Sequence, residues 1–241
     1  MTSMTLPLRI FGLSLVLPAL AHCSGGGPER EAPAAMPAGF TYVDEVVPGV
    51  RTDLKYSGSD NFVGRPLAGY RGRRAILRTE AAQALRAAAE EFARHGCGLV
   101  IYDAYRPHTA MRDIAAWGRD SSDRKMRTRF YPRISKKQIF EHGYTHDISE
   151  HSRGVAVDVG LFDLKTGRDL DMGGHHDLLD PVSATDSGAV SPAQRKNRHL
   201  LRQVMEAHGF RNYSAEWWHY LLRDEPDKTL YFLFPVRDDM R

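Results

Sequence analysis

"SEHSRGVAVDVG", residues 149–160, alternates as a buried strand does. Val155, Val157 and Val159 share one parity, so on a strand all three point to one face, toward a core. Asp158 falls on the other parity with Ala156 and Gly160, whose small side chains leave room around it. An isolated buried carboxylate is costly unless it is paired or bound to a cation. A metal is the simplest such partner. His151 precedes a bend at Gly154 and can swing back to the same point. Taken by itself, His-x6-Asp fits an ordinary hydrogen-bonded acid and a surface histidine better than a metal pair. Other residues must join it before the reading changes.

Two further stretches join it. "EWWHYLL", residues 216–222, sets two tryptophans between Glu216 and His219. The tryptophans make a wall that excludes water. Positions three apart on a regular strand face opposite ways, so both side chains reach one site only across a bulge, a tight turn or a strand end. A neutral imidazole is the commonest metal ligand. A carboxylate beside it that does not bind the metal is the general base that zinc hydrolysis requires. The competing reading is an amphipathic edge strand carrying an ion pair. "YDAYRPH", residues 102–108, sets Arg106 between a buried strand and a helix that starts at Pro107. Arginine offers fixed donors to an oxyanion or carboxylate, and a salt bridge to Asp103 is the alternative use. Together, two histidines, an aspartate, a free glutamate and an arginine are the complement of a zinc hydrolase. Such a site keeps three protein ligands and an open position for water.

Around these stretches the pattern predicts a helix in "AILRTEAAQALRAAAEEFARHGCG", capped by Thr79 and stopped by Gly96, then a buried strand over 99–103. A second helix starts at Pro107 and ends at Gly118. "KMRTRFYPRISKKQIF" has no clean period and reads as loop with short helical pieces. "SPAQRKNRHLLRQVMEAHG" is a helix with Ser191 as cap, Pro192 at its start and Gly209 at its end. "EWWHYLL" and "TLYFLFPV" read as closing strands. Helices and strands do not alternate regularly. The expected fold is therefore α+β, a single domain with a mainly antiparallel sheet flanked by helices and the zinc site on the sheet.

The 241 residues do not all enter that domain. Residues 1–22 read as a signal peptide, with Arg9 ahead of the apolar "IFGLSLVLPALA", which is too short to span a bilayer. In "LAHCSGGG" the cysteine follows a lipoprotein-type pattern, so Cys23 is the expected lipidation site and the route of membrane attachment. His22 departs from that pattern, and a cut after Ala21 would instead release a soluble protein. Residues 23–39, rich in Gly, Pro, Ala and Glu, read as a flexible linker, which leaves 40–241 as the domain. With 33 Lys and Arg against 30 Asp and Glu, interleaved, no nucleic-acid face is expected. Of the two cysteines one belongs to the leader, so the domain has no internal disulfide and stands on its core.

"SEHSRGVAVD", "EWWHY" and "YDAYRP" resemble the D-alanyl-D-alanine dipeptidases of the vancomycin-resistance type. These are zinc peptidases related to D,D-carboxypeptidases and to the hedgehog signalling domain. "DLKYSGSDNFVG", "KMRTRFYPRISK", "GFRNYSAEWWHY" and "YFLFPV" resemble them too, so the likeness runs from about Tyr42 to Val236. The resemblance implies one Zn2+ held by His151, Asp158 and His219, with Glu216 as catalytic base and Arg106 steadying the tetrahedral intermediate. It also implies a pocket for a small D-dipeptide lined by Ser149 and Tyr56, with Asp177 near the ammonium end. In "MGGHHD" the chain departs from the family, with Gly174 and His176 where a threonine and a phenylalanine are usual, and His175 with His176 could take a metal adventitiously. Export would put the activity in the periplasm or cell envelope, lipid-anchored, in scavenging or recycling of wall-derived D-dipeptides. A D,D-carboxypeptidase acting on longer wall peptides and a non-catalytic zinc module are the rival readings.

Overall fold

A computed structural model describes residues 35–145, 148–225 and 227–241. The expected signal peptide, Cys23 and the linker up to residue 34 lie outside them. In chain order the elements are β1 (Phe40–Tyr42), α1 (Val43–Val46), β2 (Arg51–Thr52), β3 (Ile76–Arg78), α2 (Thr79–Arg94), β4 (Cys97–Asp103) and α3 (His108–Arg119). Then come α4 (Arg127–Phe130), α5 (Lys136–Glu141), β5 (Ala156–Asp163), α6 (Pro192–Ala207), β6 (Phe210–Asn212) and β7 (His219–Leu222).

Among the described residues, β1 and β3 form an antiparallel pair, and a five-stranded sheet runs in the order β2-β4-β5-β7-β6. Only its β2–β4 pairing is parallel. The expected α+β architecture with a mainly antiparallel sheet is what the chain adopts. β5 is the central strand and is buried on both faces. One face carries Val157, Val159 and Leu161, which join the main core with Leu99 and Ile101 of β4. α2 packs on β4 and α6, and α6 on β6. The apolar stripe of α2, Ala81, Leu85, Ala88 and Phe92, is buried as its spacing requires. The other face of β5 carries Ala156, Asp158, Gly160 and Phe162. A Cβ on Gly160 would come within 2.6 Å of the Tyr102 hydroxyl, so the glycine makes room for that ring across the sheet.

Three local expectations are corrected. Thr79 is the first residue of α2, not its cap. Its backbone N–H is bound by Gly39 O at 2.9 Å, and Arg78 precedes it in extended conformation. Pro107 caps α3 from outside, and Gly118 lies in its last turn, where a Cβ would strike the Phe140 ring. "TLYFLFPV" makes no strand. It crosses the domain on a few backbone bonds: Phe232 donates to Ser152 O and accepts from the His108 N–H, and Val236 makes an isolated parallel bridge with Tyr70, while Phe232 and Phe234 pack edge-on against Phe40. The apolar run there is an aromatic strap rather than a ladder member. α6 begins as expected, with Ser191 and Gln194 forming a reciprocal capping box before Pro192.

The loop 172–184 between β5 and α6 is held by one side chain of α6. Arg198 is fully buried, and its guanidinium donates to Met172 O at 2.6 Å, Val182 O at 2.8 Å and Ala184 O at 2.7 Å. Burial lowers its pKa to about 10. An arginine tolerates this position because its planar fork meets carbonyls from both ends of the loop. Replacement by leucine leaves those carbonyls without donors in the interior. Arg198→Leu is expected to lower the unfolding free energy in urea by about 3 kcal/mol. A loss below about 1 kcal/mol would mean that the clamp contributes little.

Candidate metal centre and active site

Asp158 sits between two polar partners in the sheet. It pairs with His219 of β7 on one side and with Asp103 of β4 on the other. The second pairing depends on an irregularity. Ile101 pairs with Val159, yet the next pair is Asp103 with Asp158, so Tyr102 is an extra residue in β4. Without that bulge Asp103 would share the core-facing parity of Leu99 and Ile101. The bulge re-aims it to the face of Asp158.

His151 arrives from a different direction. It lies in a 3-10 turn, Glu150–Arg153, which Ser149 caps by accepting the His151 N–H at 3.3 Å. Gly154 ends the turn at φ +73, a conformation that disfavours any side chain, and a Cβ there would lie 2.4 Å from the Phe40 ring. The left-handed residue reverses the chain and returns His151 to the middle of β5, as the bend in the sequence suggests. Glu216 and His219 flank a tight turn, closed by the His219 N–H to Glu216 O at 3.3 Å. This is the device that two side chains three apart require in order to meet.

The result is a triangle of donor atoms. His151 Nε2 lies 3.2 Å from His219 Nδ1 and 3.3 Å from Asp158 Oδ1, and His219 Nδ1 lies 3.0 Å from Asp158 Oδ1. These three residues form a group able to hold a metal ion among the described residues. A tetrahedral zinc with bonds of about 2.0–2.2 Å separates its ligand atoms by about 3.3–3.6 Å, within a few tenths of an ångström of this triangle. The donor chemistry fits as well. His151 Nδ1 donates to Ala104 O at 2.7 Å, which fixes the tautomer and leaves the Nε2 lone pair aimed at the triangle. Burial alone would raise Asp158. The neighbouring histidines, His151 foremost and then His176 and His219, outweigh it and hold the carboxyl well below its usual range.

Around the triangle lies a cavity of about 270 Å³ whose wall includes Arg106, Glu216, Tyr56, Ser149, Asp177 and Trp218. The catalytic, metal and substrate residues read from the sequence therefore border one space, while Cys23 lies outside the described residues. Arg106 makes the salt bridge weighed for it, Nε donating to Asp103 Oδ2 at 2.8 Å, and its side chain lines the cavity. Its guanidinium also rests 4.6 Å over the Tyr56 ring. Burial, reinforced by Asp158 and Asp177, pushes the Glu216 carboxyl well above its ordinary value. Burial likewise raises Asp177, which holds φ at +63, unusual outside glycine.

Some supporting residues carry no sequence signal for the site. The Ala104 carbonyl and the Tyr70 hydroxyl, which donates to Asp103 Oδ1 at 2.6 Å, are examples. His176 carried a signal only as a departure, and it reaches Asp158 Oδ2 at 3.0 Å. His175 does not join it; both of its ring nitrogens meet backbone carbonyls.

A family model described as D-ala-D-ala dipeptidase, Peptidase_M15, matches residues 36–237. The chain is 42% identical over 201 residues to the D-alanyl-D-alanine dipeptidase of Streptomyces coelicolor, spanning 83% of this chain and 100% of that one. It is 41% identical over 202 residues to the enzyme of the same name from Enterococcus faecium, spanning 84% and 100%. Among solved structures, the vancomycin resistance D,D-dipeptidase VanXYg in complex with a D-Ala-D-Ala phosphinate analog is similar at 17% identity and a TM-score of 0.35. That match spans 78% of this chain and 67% of the other. A match that runs nearly from end to end of the described domain, with relatives covered over their whole length, means that the chain belongs to the D-Ala-D-Ala dipeptidase family of peptidases.

Proposed function

We propose that this protein is a zinc metallopeptidase that hydrolyses D-alanyl-D-alanine and similar D-dipeptides. In this reading His151, Asp158 and His219 hold one zinc ion per chain, Glu216 is the general base and Arg106 faces the oxyanion. The observation that carries it is the triangle of donor atoms with Glu216 and Arg106 on the wall of the same cavity.

Zinc bound at the triangle would supply Lewis acidity and bring the pKa of a water toward neutrality. Glu216 takes the proton of the attacking water and returns it to the leaving amine, so one water is consumed and two amino acids are released. Burial and the neighbouring acids, which favour its protonated form, suit the second transfer. Arg106 keeps its position through Asp103, and its remaining N–H groups suit the negative oxygen that develops on the carbonyl. Ser149 Oγ accepts from the His151 N–H, so its own O–H stays free to donate to the dipeptide carboxylate. Asp177 meets the ammonium end. A cavity of about 270 Å³, at the small end of ligand sites, suits selection by length, because both charged ends of a dipeptide are read at once.

The leader and Cys23 support export to the periplasm or cell envelope with a lipid anchor, and with it a role in scavenging wall-derived D-dipeptides. Cys23→Ser is expected to move the protein from the membrane to the soluble envelope fraction; an unchanged cytoplasmic location would remove the export reading.

The catalytic assignment is tested by assaying free D-Ala-D-Ala and a pentapeptide ending in D-Ala-D-Ala. The wild type should cleave the dipeptide and spare the pentapeptide. Glu216→Gln should keep its zinc and lose turnover by about a thousandfold. Turnover retained by that variant would sink the role of Glu216, and faster cleavage of the pentapeptide would favour the carboxypeptidase reading.

A further inference from the structure

His176 is a buried imidazole set among aromatic rings. It stacks on Tyr102 with ring centres 5.0 Å apart at 28°, and Trp218 meets it edge-on at 5.3 Å. Tyr102 is the extra residue of the β4 bulge, and Gly160 leaves the space that its ring occupies. A hydrocarbon ring would fill this slot and bury no polar atom. The imidazole instead leaves Nδ1 buried with no partner, which carries a cost. What offsets it is the contact of Nε2 with Asp158 Oδ2 at 3.0 Å. A carboxylate only accepts, so the proton of this bond is on Nε2. Asp177 Oδ1, at 3.5 Å from the same nitrogen, is a weaker second neighbour. The left-handed backbone at Asp177 breaks the usual alternation, so that consecutive side chains, His176 and Asp177, are both buried.

The two oxygens of Asp158 are thereby distinguished. Oδ1 faces His151 Nε2 and His219 Nδ1. Oδ2 faces His176, with the Arg106 guanidinium 3.9 Å away. We propose that His176 is a positioning residue that fixes the Asp158 carboxylate, holding Oδ2 so that Oδ1 alone is presented to the metal. This rests on the reading of Asp158 as a zinc ligand. The hydrogen bond resists rotation of the carboxylate and keeps it from offering both oxygens, which would take up the position that a hydrolytic site leaves open.

The test is the zinc affinity of metal-free, reloaded protein, measured by competition with a chromogenic chelator, alongside thermal unfolding of the metal-free form. His176→Phe should weaken zinc binding by about 10–100-fold while the metal-free protein unfolds at nearly the same temperature. His176→Gln, whose amide N–H can reach Oδ2, should recover most of the lost affinity. Equal zinc affinity in His176→Phe and wild type overturns the proposal, as does loss in both variants without recovery. Asp158→Asn separates this from the underlying site. If Asp158→Asn loses zinc while His176→Phe keeps it, only the positioning role fails. If Asp158→Asn binds zinc as the wild type does, the ligand assignment fails and the proposal with it. Should His176→Phe not fold, the ring itself decides: long-range nitrogen–proton NMR of zinc-loaded wild type should find the His176 proton on Nε2, and a proton on Nδ1 instead overturns the inference.

Discussion

The structure is organised around a carboxylate in the middle of its central strand. Asp158 is 2% exposed, so its burial costs hydration that its neighbours must offset. Everything that touches it compensates that burial. β7 brings His219 beside it, the turn before β5 brings His151, the loop 172–184 brings His176, and the segment between β4 and α3 brings Arg106 close. Four separate parts of the chain thus converge because one strand position carries charge. The arrangement turns Oδ1 of the carboxylate toward His151 and His219 and Oδ2 toward His176 and Arg106.

The surrounding fold serves that geometry with few devices. The bulge at Tyr102 turns Asp103 toward the site, where it receives Tyr70 and Arg106 and so fixes the arginine. The same bulge supplies the ring on which His176 stacks. Gly154 and Gly160 act by what they lack: one allows the left-handed reversal after His151, and the other admits Tyr102. Arg198, which does not line the cavity, pins both ends of the loop that presents His176 and Asp177. Site geometry and stability are therefore joined through backbone carbonyls rather than through the core alone.

Much of this is legible in the chain. Strand parity alone sends Val157 and Val159 to the core and Asp158 to the opposite face, and the spacing of Glu216 and His219 demands the turn that the structure contains. Capping chemistry gives the start of α6. Other features escape because their causes are long-range. The bulge in β4 has no local marker, since it answers to pairing with β5. "TLYFLFPV" has strand composition, yet its aromatic rings find partners in Phe40 and Tyr105 rather than a neighbouring ladder. Thr79 is a good cap by type, but Gly39 already satisfies its N–H and the helix starts one residue earlier than its side chain implies. His176 stands out in the sequence only as a departure within "MGGHHD", and its contact with Asp158 needs the fold to be seen.

The central claim is that these three side chains bind one metal ion at one point. Anomalous diffraction at the zinc absorption edge, from crystals of the zinc-loaded protein, tests it most directly. The account predicts a single strong peak within about 2.0–2.2 Å of His151 Nε2, Asp158 Oδ1 and His219 Nδ1. A peak centred elsewhere, or no peak at this triangle in protein that has taken up zinc, would contradict it.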